Sequence, residues 1–330
     1  MSKYLKLYDN ESQYLIAQSQ QDFTQYKPNV VYCIGENKSH YNNIQSNDDI
    51  SQDEQYIIFE DPEVRRICSI TWGDYRQTVT TIDDENNTTN IQVILYHTTP
   101  QGKQSTTIQN ITRIKYDTDV AGTVNEPLGI TFTQAAAVTN FNTAFRGNTL
   151  ITSLNELKYF THVSVWNLGD FNNMSNLKTI ILPSGINQYN HKPSSRLFEN
   201  CTSLQYINME DVSFNTGACQ LITQFLQNVK IIIFSKYTSE LASACIYRTP
   251  TYFIKFPYNG IVTIGANNTT NGWDYGKNGN PLCRYYVPDN LLEEYKTDTS
   301  TKYNGSAWST VANRIFPISQ FDEDTKNILQ

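Results

Sequence analysis

The sequence predicts an α+β protein of several domains, with a solenoid of repeated units in the middle of the chain. The 330 residues are enough for two or three domains. Phe145, Phe171, Phe198 and Phe225 recur at steps of 26, 27 and 27 residues, and apolar residues follow each at fixed distances. A fixed period of this length is typical of a solenoid, because one unit cannot bury its apolar face alone and stacks on its neighbours.

The apolar residues that follow each phenylalanine define the predicted core of the repeats. Isoleucine or leucine stands six positions after each one, and leucine, isoleucine or phenylalanine stands nine positions after it. Four such matches in register are hard to obtain by chance. The predicted repeat core comprises Phe145, Ile151, Leu154, Phe171, Leu177, Ile180, Phe198, Leu204, Ile207, Phe225 and Ile231.

Residues 1–48 are predicted to form a small α/β unit that anchors the protein to a partner. The segment 4–8 alternates polar and apolar side chains as a strand does. Asp9 to Ser12 supply residues that cap a helix. Residues 30–34 are rich in β-branched and aromatic side chains and predict a second strand, closed by a turn at Gly35.

Residues 49–142 are predicted to hold a helix and a β-rich insertion. Pro62 stands just inside a helix start, with acidic residues nearby and basic residues later, an order that suits the helix dipole. Residues 78–115 alternate as strands around polar turns at 83–87 and 100–103, which predicts a hairpin or a three-stranded insertion. A short helix at 133–138 leads into the first repeat.

The solenoid is predicted to extend over residues 143–282, and residues 283–330 are predicted to form its α/β cap. Residues 284–288 have the pattern of a last strand, and Asp289 and Asn290 can cap a helix after it. A solenoid end exposes a sheet edge, and a cap removes that aggregation hazard.

Charge and hydropathy argue against two classes of partner. The net charge is -7, and no run of lysine and arginine suggests contact with phosphates, so we expect no nucleic acid. The longest apolar run, residues 229–234, is far too short to span a bilayer, so we expect no membrane insertion. The first ten residues do not resemble an export signal, which indicates assembly in the cytoplasm or earlier trimming.

The sequence shows none of the common catalytic or metal-binding motifs. The six cysteines, at 33, 68, 201, 219, 245 and 283, have no C-x-x-C spacing and are predicted to be reduced core residues. The four histidines lie in unrelated segments. We therefore expect no enzyme and no cofactor, although the many Asp and Glu residues leave a carboxylate pair for glycoside hydrolysis open.

Two segments in the predicted solenoid resemble a known family. Residues 198–207, Phe-Glu-Asn-Cys-Thr-Ser-Leu-Gln-Tyr-Ile, resemble the repeat unit of BspA-like leucine-rich-repeat proteins. Residues 177–183 are similar to a companion piece of that unit, and residues 287–296 with 308–315 are similar to the C-terminal end of such proteins. The resemblance implies a leucine-rich-repeat-like solenoid, of a kind common in gut Bacteroidetes and in their phages, crAss-like phages among them.

The region before the repeats resembles a second block in that group, in which a helix and a Trp-Asp stretch lead into an acidic, EF-hand-like loop. The matching pieces here are residues 61–68, 72–74 and 134–139. Gln134 stands where a calcium loop needs a bidentate Glu, so residues 49–142 include a degenerate EF-hand-like region. Asp117 and Asp119 remain candidate weak ligands, and we expect no tight calcium binding.

The resemblance and the repeats together predict a non-enzymatic structural protein of a phage virion, a head fibre or a tail appendage. Its partners would be other virion proteins, a host surface glycan or protein, and further copies of itself, since fibres are commonly symmetric oligomers. The alternative is a leucine-rich-repeat adhesin on a bacterial cell surface. Candidate contact residues are the aromatics Tyr247, Tyr252, Tyr258, Trp273 and Tyr275, whose rings suit stacking on sugars or proteins; packing under long loops is the other interpretation.

Overall fold

The structure, a computed structural model, describes residues 55–99, 101–164, 170–184, 197–213, 226–241, 251–263, 282–300 and 307–328 in full. At 6–8, 32–34, 218–219 and 264 it describes the backbone alone. The chain divides into two units, Met1–Gln55 and Tyr56–Gln330. In the first unit, β1 (Lys6–Tyr8) pairs in parallel with β2 (Tyr32–Ile34). The helix predicted after Ser12 lies outside the described residues.

The second unit begins with helix α1 (Pro62–Trp72), close to where the sequence predicts it. The Asp61 carboxylate accepts a hydrogen bond from the Glu63 amide at 2.9 Å and so caps the first turn. Val64, Ile67 and Cys68 form the buried face of the helix. The helix ends at Gly73, whose missing side chain leaves room for the Gly129 carbonyl, since a Cβ would stand 2.2 Å from that oxygen.

An antiparallel sheet of four strands follows the helix. Its strands are β3 (Asp74–Ile82), β4 (Thr88–Thr99), β5 (Gly102–Ile114) and β6 (Gly122–Gly129), in the order β5-β4-β3-β6. The turn between β3 and β4 is the polar one that the sequence indicates, and Asp83 accepts from the Asn87 amide at 2.7 Å. The fourth strand was missing from the prediction because Gly122 and Pro127 weaken its pattern; both lie on an edge strand, where they are tolerated.

The short helix α2 (Phe132–Ala136) follows this sheet. Its first turn carries a capping box, in which the Thr131 hydroxyl accepts from the Gln134 amide and the Gln134 side chain accepts from the Thr131 amide. These two bonds fix the chain direction at the entry to the repeats.

Residues 153–317 contribute seven short strands to one parallel sheet. They are β7 (Ser153–Leu154), β8 (Thr179–Ile181), β9 (Tyr206–Asn208), β11 (Ile231–Ile233), β13 (Phe253–Lys255), β15 (Arg284–Val287) and β16 (Ile315–Pro317). They lie side by side in chain order. A second parallel sheet consists of β10 (Ala218–Cys219), β12 (Glu240–Leu241) and β14 (Thr263–Ile264), so this stretch of chain passes alternately between the two sheets. With its antiparallel sheet and helices, the unit is α+β.

The main core lies against one face of the seven-stranded sheet. Its central row is set by the strand register and comprises Leu154, Ile180, Ile207, Ile232, Ile254 and Tyr285, all buried. Phe171 stacks between Phe145 and Phe198, with ring centroids 6.3 and 5.9 Å apart. Two residues after each of these rings, Gly147, Asn173 and Asn200 adopt the left-handed conformation that glycine and asparagine tolerate best.

Nine of the eleven predicted repeat-core residues lie in this main core, and Ile231 does not. Ile151, Leu177 and Leu204 are fully buried there. A step of 27 residues from Ile207 would reach Phe234, but Ile232 pairs with Ile207, so the fourth unit is two residues shorter than the period predicts. Val229 therefore takes the place expected for Ile231. Ile231 therefore faces the opposite side of the sheet, because successive strand residues alternate. Phe225 lies outside the described residues.

The C-terminal part of the chain closes the core at its far end. Helix α3 (Leu292–Thr297) and a 3-10 helix at Trp308–Arg314 bring Tyr295 and Trp308 into a buried cluster. The Trp308 indole donates to the Val262 carbonyl at 2.7 Å, which satisfies its polar atom. The sequence suggests that Asp289 caps α3, and the structure shows that it does not. Its carboxylate instead accepts a hydrogen bond from the Ser319 amide at 3.1 Å.

Two further properties concern the described residues alone. No helix among them combines the length and the apolar character needed to cross a membrane. Cys68 and Cys201 are buried thiols without a disulfide. Burial raises the pKa of the Cys68 thiol well above its usual value and that of Cys201 to about 11.

Candidate interaction surface

The side of the seven-stranded sheet that faces away from the main core is the candidate interaction surface. Side chains alternate along each strand, so every strand places its remaining residues on this side. We call it the outer face and define it by two rows of paired residues. The rows are Ser153, Thr179, Tyr206, Ile231, Phe253 and Arg284, and Ile181, Asn208, Ile233, Lys255, Tyr286 and Phe316.

The first half of the outer face, over β7 to β9, is mainly polar. The Ser153 hydroxyl donates to the Glu60 carboxylate at 2.9 Å and accepts from the Thr179 hydroxyl at 3.2 Å. Asn208 donates its amide to the Tyr206 hydroxyl at 3.3 Å. Burial raises the pKa of Tyr206, so this hydroxyl keeps its proton at neutral pH. Half-buried hydroxyl and amide groups in such a row suit hydrogen bonding to a polar ligand.

The second half, over β11 to β15, is apolar and covered by the chain itself. Ile231, Ile233, Phe253 and Tyr286 form a small core that is separate from the main one, and Phe321 completes it. Phe321 is only 5% exposed, and its ring meets that of Tyr286 edge-on at 5.1 Å. Residues 318–328, which include a 3-10 turn and helix α4 (Phe321–Thr325), thus lie across the outer face. We call them the C-terminal strap.

Charged groups hold the strap at its edges. Asp324 pairs with Arg284 at 3.0 Å and accepts from the Tyr286 hydroxyl at 2.6 Å. Burial, followed by the hydrogen bond to Asp324, raises the pKa of Tyr286 far above its usual value, so its hydroxyl remains a donor. The Lys230 ammonium donates to the Ile328 carbonyl at 3.0 Å. The cations belong to the sheet and the anion to the strap, so the two surfaces are electrostatically complementary.

The predicted aromatic contact residues are distributed differently. Tyr252 is 44% exposed at the start of β13 and is available for contact. Tyr258 packs partly buried against the main core, over Gly260, which fits the packing interpretation for this residue. Tyr247, Trp273 and Tyr275 lie outside the described residues.

The region similar to an EF-hand is organised around a buried carboxylate, that of Asp74. Asp74 accepts from Gln134 at 2.7 Å, from the Thr98 amide at 3.2 Å and from Tyr56 at 2.9 Å, and contacts His97 at 2.9 Å. The side-chain amide of Gln134 is thereby engaged as a donor, and its oxygen is engaged in the capping box. The arrangement joins β3, β4 and α2.

The two aspartates considered as weak calcium ligands, Asp117 and Asp119, do not share the hydrogen-bond partners of Asp74. Asp119 is engaged by Arg113 at 2.6 Å and by the Thr89 hydroxyl at 2.8 Å, and Asp117 is exposed. These contacts, the bond to Arg113 above all, hold the pKa of Asp119 far below its usual value. In the part of the chain that the structure describes, no group of three or more His, Cys, Asp or Glu side chains is placed to hold a metal ion.

Comparison with known proteins gives no relative for this chain: no family model, no curated protein and no solved structure matches it.

The sequence did not predict the C-terminal strap or the apolar half of the outer face that it covers. One signal was present, namely the run of three isoleucines at 231–233, which is typical of a strand buried on both faces. A second was the spacing of Ile318, Phe321, Thr325 and Ile328, which places them on one side of a helix. Neither signal says which segment covers which strand, because the contact joins residues far apart in the chain.

Proposed function

We propose that the chain is a non-enzymatic structural protein of a virion, a head fibre or a tail appendage. Its repeat region would be a leucine-rich-repeat-like solenoid of the BspA type, and the outer face would be its contact surface. Residues 1–48 would dock on other virion proteins. The solenoid would meet a glycan or a protein on the host surface.

The observation that carries the proposal is the structural equivalence of the repeated motif. In three successive units the phenylalanine enters one stacked column. The residue two positions later is a left-handed glycine or asparagine, and the isoleucine or leucine nine positions later enters one register row. Residues 198–207, which carry the resemblance, form one of these units. A motif that recurs in sequence and in position is what stacked coils require.

The polar first half of the outer face supports a role in recognition. Hydroxyl and amide groups from neighbouring strands lie there in a row, and the ring of Tyr206 packs partly buried against the small apolar core beside them. Sugars and protein backbones both offer hydrogen-bond groups to such a row.

Immunogold electron microscopy tests the proposed location. Antibody against the recombinant chain would be applied to purified phage particles and to host cells. Gold on particles is the expected result, and its position would separate a head fibre from a tail appendage. Gold confined to the cell envelope would contradict the virion proposal and favour a bacterial surface adhesin.

The contact role has a separate test, which measures binding of the labelled chain to host cells. The double variant Thr179→Ala, Asn208→Ala removes two polar groups from the outer face, while Thr202→Ala removes a similar exposed group from a turn off the face. We expect the double variant to bind at least about tenfold more weakly, since each lost hydrogen bond contributes about 1 kcal/mol, and the control to bind normally. Equal binding by all three chains would show that the ligand does not use this half of the face.

A further inference from the structure

We infer that the C-terminal strap is an intramolecular ligand of the outer face. It occupies the apolar half until a competing segment of the same chemistry replaces it. That segment would belong to a partner protein and would carry an aromatic side chain followed, one helical turn later, by a carboxylate. The inference rests on the proposal that the outer face is the contact surface, and it identifies the partner that the covered half accepts.

The aromatic side chain is the anchor of the strap. Phe321 is surrounded by Ile231, Ile233, Phe253 and Tyr286, which come from three neighbouring strands. Burial of a phenylalanine side chain is strongly favourable, and Phe321 is the buried apolar side chain of the strap, so it supplies much of the apolar attraction. The buried part of its pocket belongs to the sheet, while Ile318 and Ile328 of the strap pack against the edge of the cluster.

The carboxylate supplies direction and specificity. Asp324 follows Phe321 by three residues and so projects from the same side of α4. It meets both Arg284 and Tyr286, a cation and a hydroxyl donor. Lys255 lies 5.6 Å from the centre of the Phe321 ring, and Lys230 holds the Ile328 carbonyl. Lys255 is already paired with Glu210 at 3.2 Å, so Arg284 and Lys230 are the cations beside the pocket that favour a partner with both an aromatic ring and negative charge.

The strap has the properties of a displaceable segment. Helix α4 has five residues and no side-chain hydrogen bond at its N-terminus, so it would not be stable in water without the sheet. On its N-terminal side the strap follows directly after Pro317. The residues before that point are fixed independently, because Trp308 is buried in the main core and Ile315 pairs with Tyr285.

Peptide titration tests the inference with the full-length protein. The probe is a fluorescent peptide of residues 316–330, and binding is measured by fluorescence anisotropy to the native chain and to its Phe321→Ala variant. A short tether holds the strap at an effective concentration of about 1 mM. If the peptide binds the uncovered face with a Kd of about 0.1 mM, the native chain should bind it roughly tenfold more weakly than the variant.

Three controls make the outcome decisive. The exposed residue Gln320 belongs to the strap without covering the face, so Gln320→Ala should behave as the native chain does. A peptide that carries Phe321→Ala should not bind. Raising the salt concentration should weaken binding of the native peptide, since its carboxylate meets cations.

A chain that ends at Pro317 provides a second measurement and should bind the peptide at least as tightly as the Phe321→Ala variant does. If circular dichroism shows that this truncated chain is unfolded, the full-length pair alone decides. Equal affinity of the native and Phe321→Ala chains, or no saturable binding to a folded variant, would overturn the inference. The titration contains no virion, so its failure would leave the virion proposal standing, and failure of the gold labelling would leave the strap inference standing.

Discussion

Substitution of Phe171 by alanine tests whether the column of stacked rings holds the repeats together. Phe171 is fully buried, and it is the ring that touches both of its neighbours, Phe145 at 6.3 Å and Phe198 at 5.9 Å. Its own backbone carbonyl also accepts from the Cys201 thiol at 2.9 Å. Removing the ring leaves a cavity between two units.

The expected loss of unfolding free energy is large because the cavity has little room to collapse. Replacing a buried phenylalanine by alanine costs about 3–5 kcal/mol, with the higher values where the surroundings cannot relax. The strands on either side are fixed by the register of Ile180 with Leu154 and Ile207. We therefore expect Phe171→Ala to lose about 4–5 kcal/mol, a large part of the stability of a typical domain.

Urea unfolding followed by circular dichroism measures this loss, with two matched controls. Phe171→Leu keeps most of the volume and should lose less than half as much. Leu150→Ala changes a residue that is 70% exposed and should alter stability by at most about 0.5 kcal/mol. If Phe171→Ala lost less than about 1 kcal/mol, the stacked rings could not be the structural element that joins the units.

Three further predictions concern buried polar and ionisable groups. Asp74→Ala should lose about 2–4 kcal/mol in urea unfolding, because Gln134 and the Thr98 amide lose their buried acceptor, whereas an unchanged midpoint would show that water replaces the carboxylate. Burial, with a smaller effect of Glu60, raises the pKa of Glu156, so its ionisation opposes folding and the native chain loses stability as pH rises through that pKa. Glu156→Gln mimics the protonated form, so its stability relative to the native chain should increase from pH 4 to pH 7; parallel pH curves would contradict this. The Cys201 thiol, with a pKa of about 11, should react with a thiol reagent at pH 8 only after unfolding, as mass spectrometry of the labelled peptide would show, and rapid labelling of the native chain would contradict its burial.

The parts of the fold that were predictable are those encoded by neighbouring residues. Asp61 and Pro62 mark the start of α1, and the polar stretch at Asp83 marks the turn between β3 and β4. The spacing after Phe145 and Phe171 predicts buried positions that the structure places in one core. Each of these signals acts over a few residues or over a constant period, so a single sequence carries it.

The remaining features depend on contacts between distant residues. The step to Ile232 is shorter than the preceding steps, and a constant period therefore places Ile231 on the wrong side of the sheet. The partner of Phe321 lies far away in the sequence, at Tyr286 and on β11. Among the candidate contact residues, Tyr252 is exposed and Tyr258 is partly buried, and this difference is set by tertiary packing.

The two halves of the outer face differ in polarity, and this difference explains where the strap lies. On β8 and β9 this side carries Thr179 and Asn208, which water can solvate, together with Ile181 and with Tyr206, whose ring packs against the covered apolar half. On β11 and β13 it carries isoleucine and phenylalanine, which would expose a continuous apolar patch without the strap. A cover therefore shields this patch from water, and a cover that consists of one short helix is one that a partner can replace. On the proposal that the outer face is the contact surface, the polar half is accessible while the strap is in place, and the apolar half becomes accessible only when a stronger segment displaces Phe321.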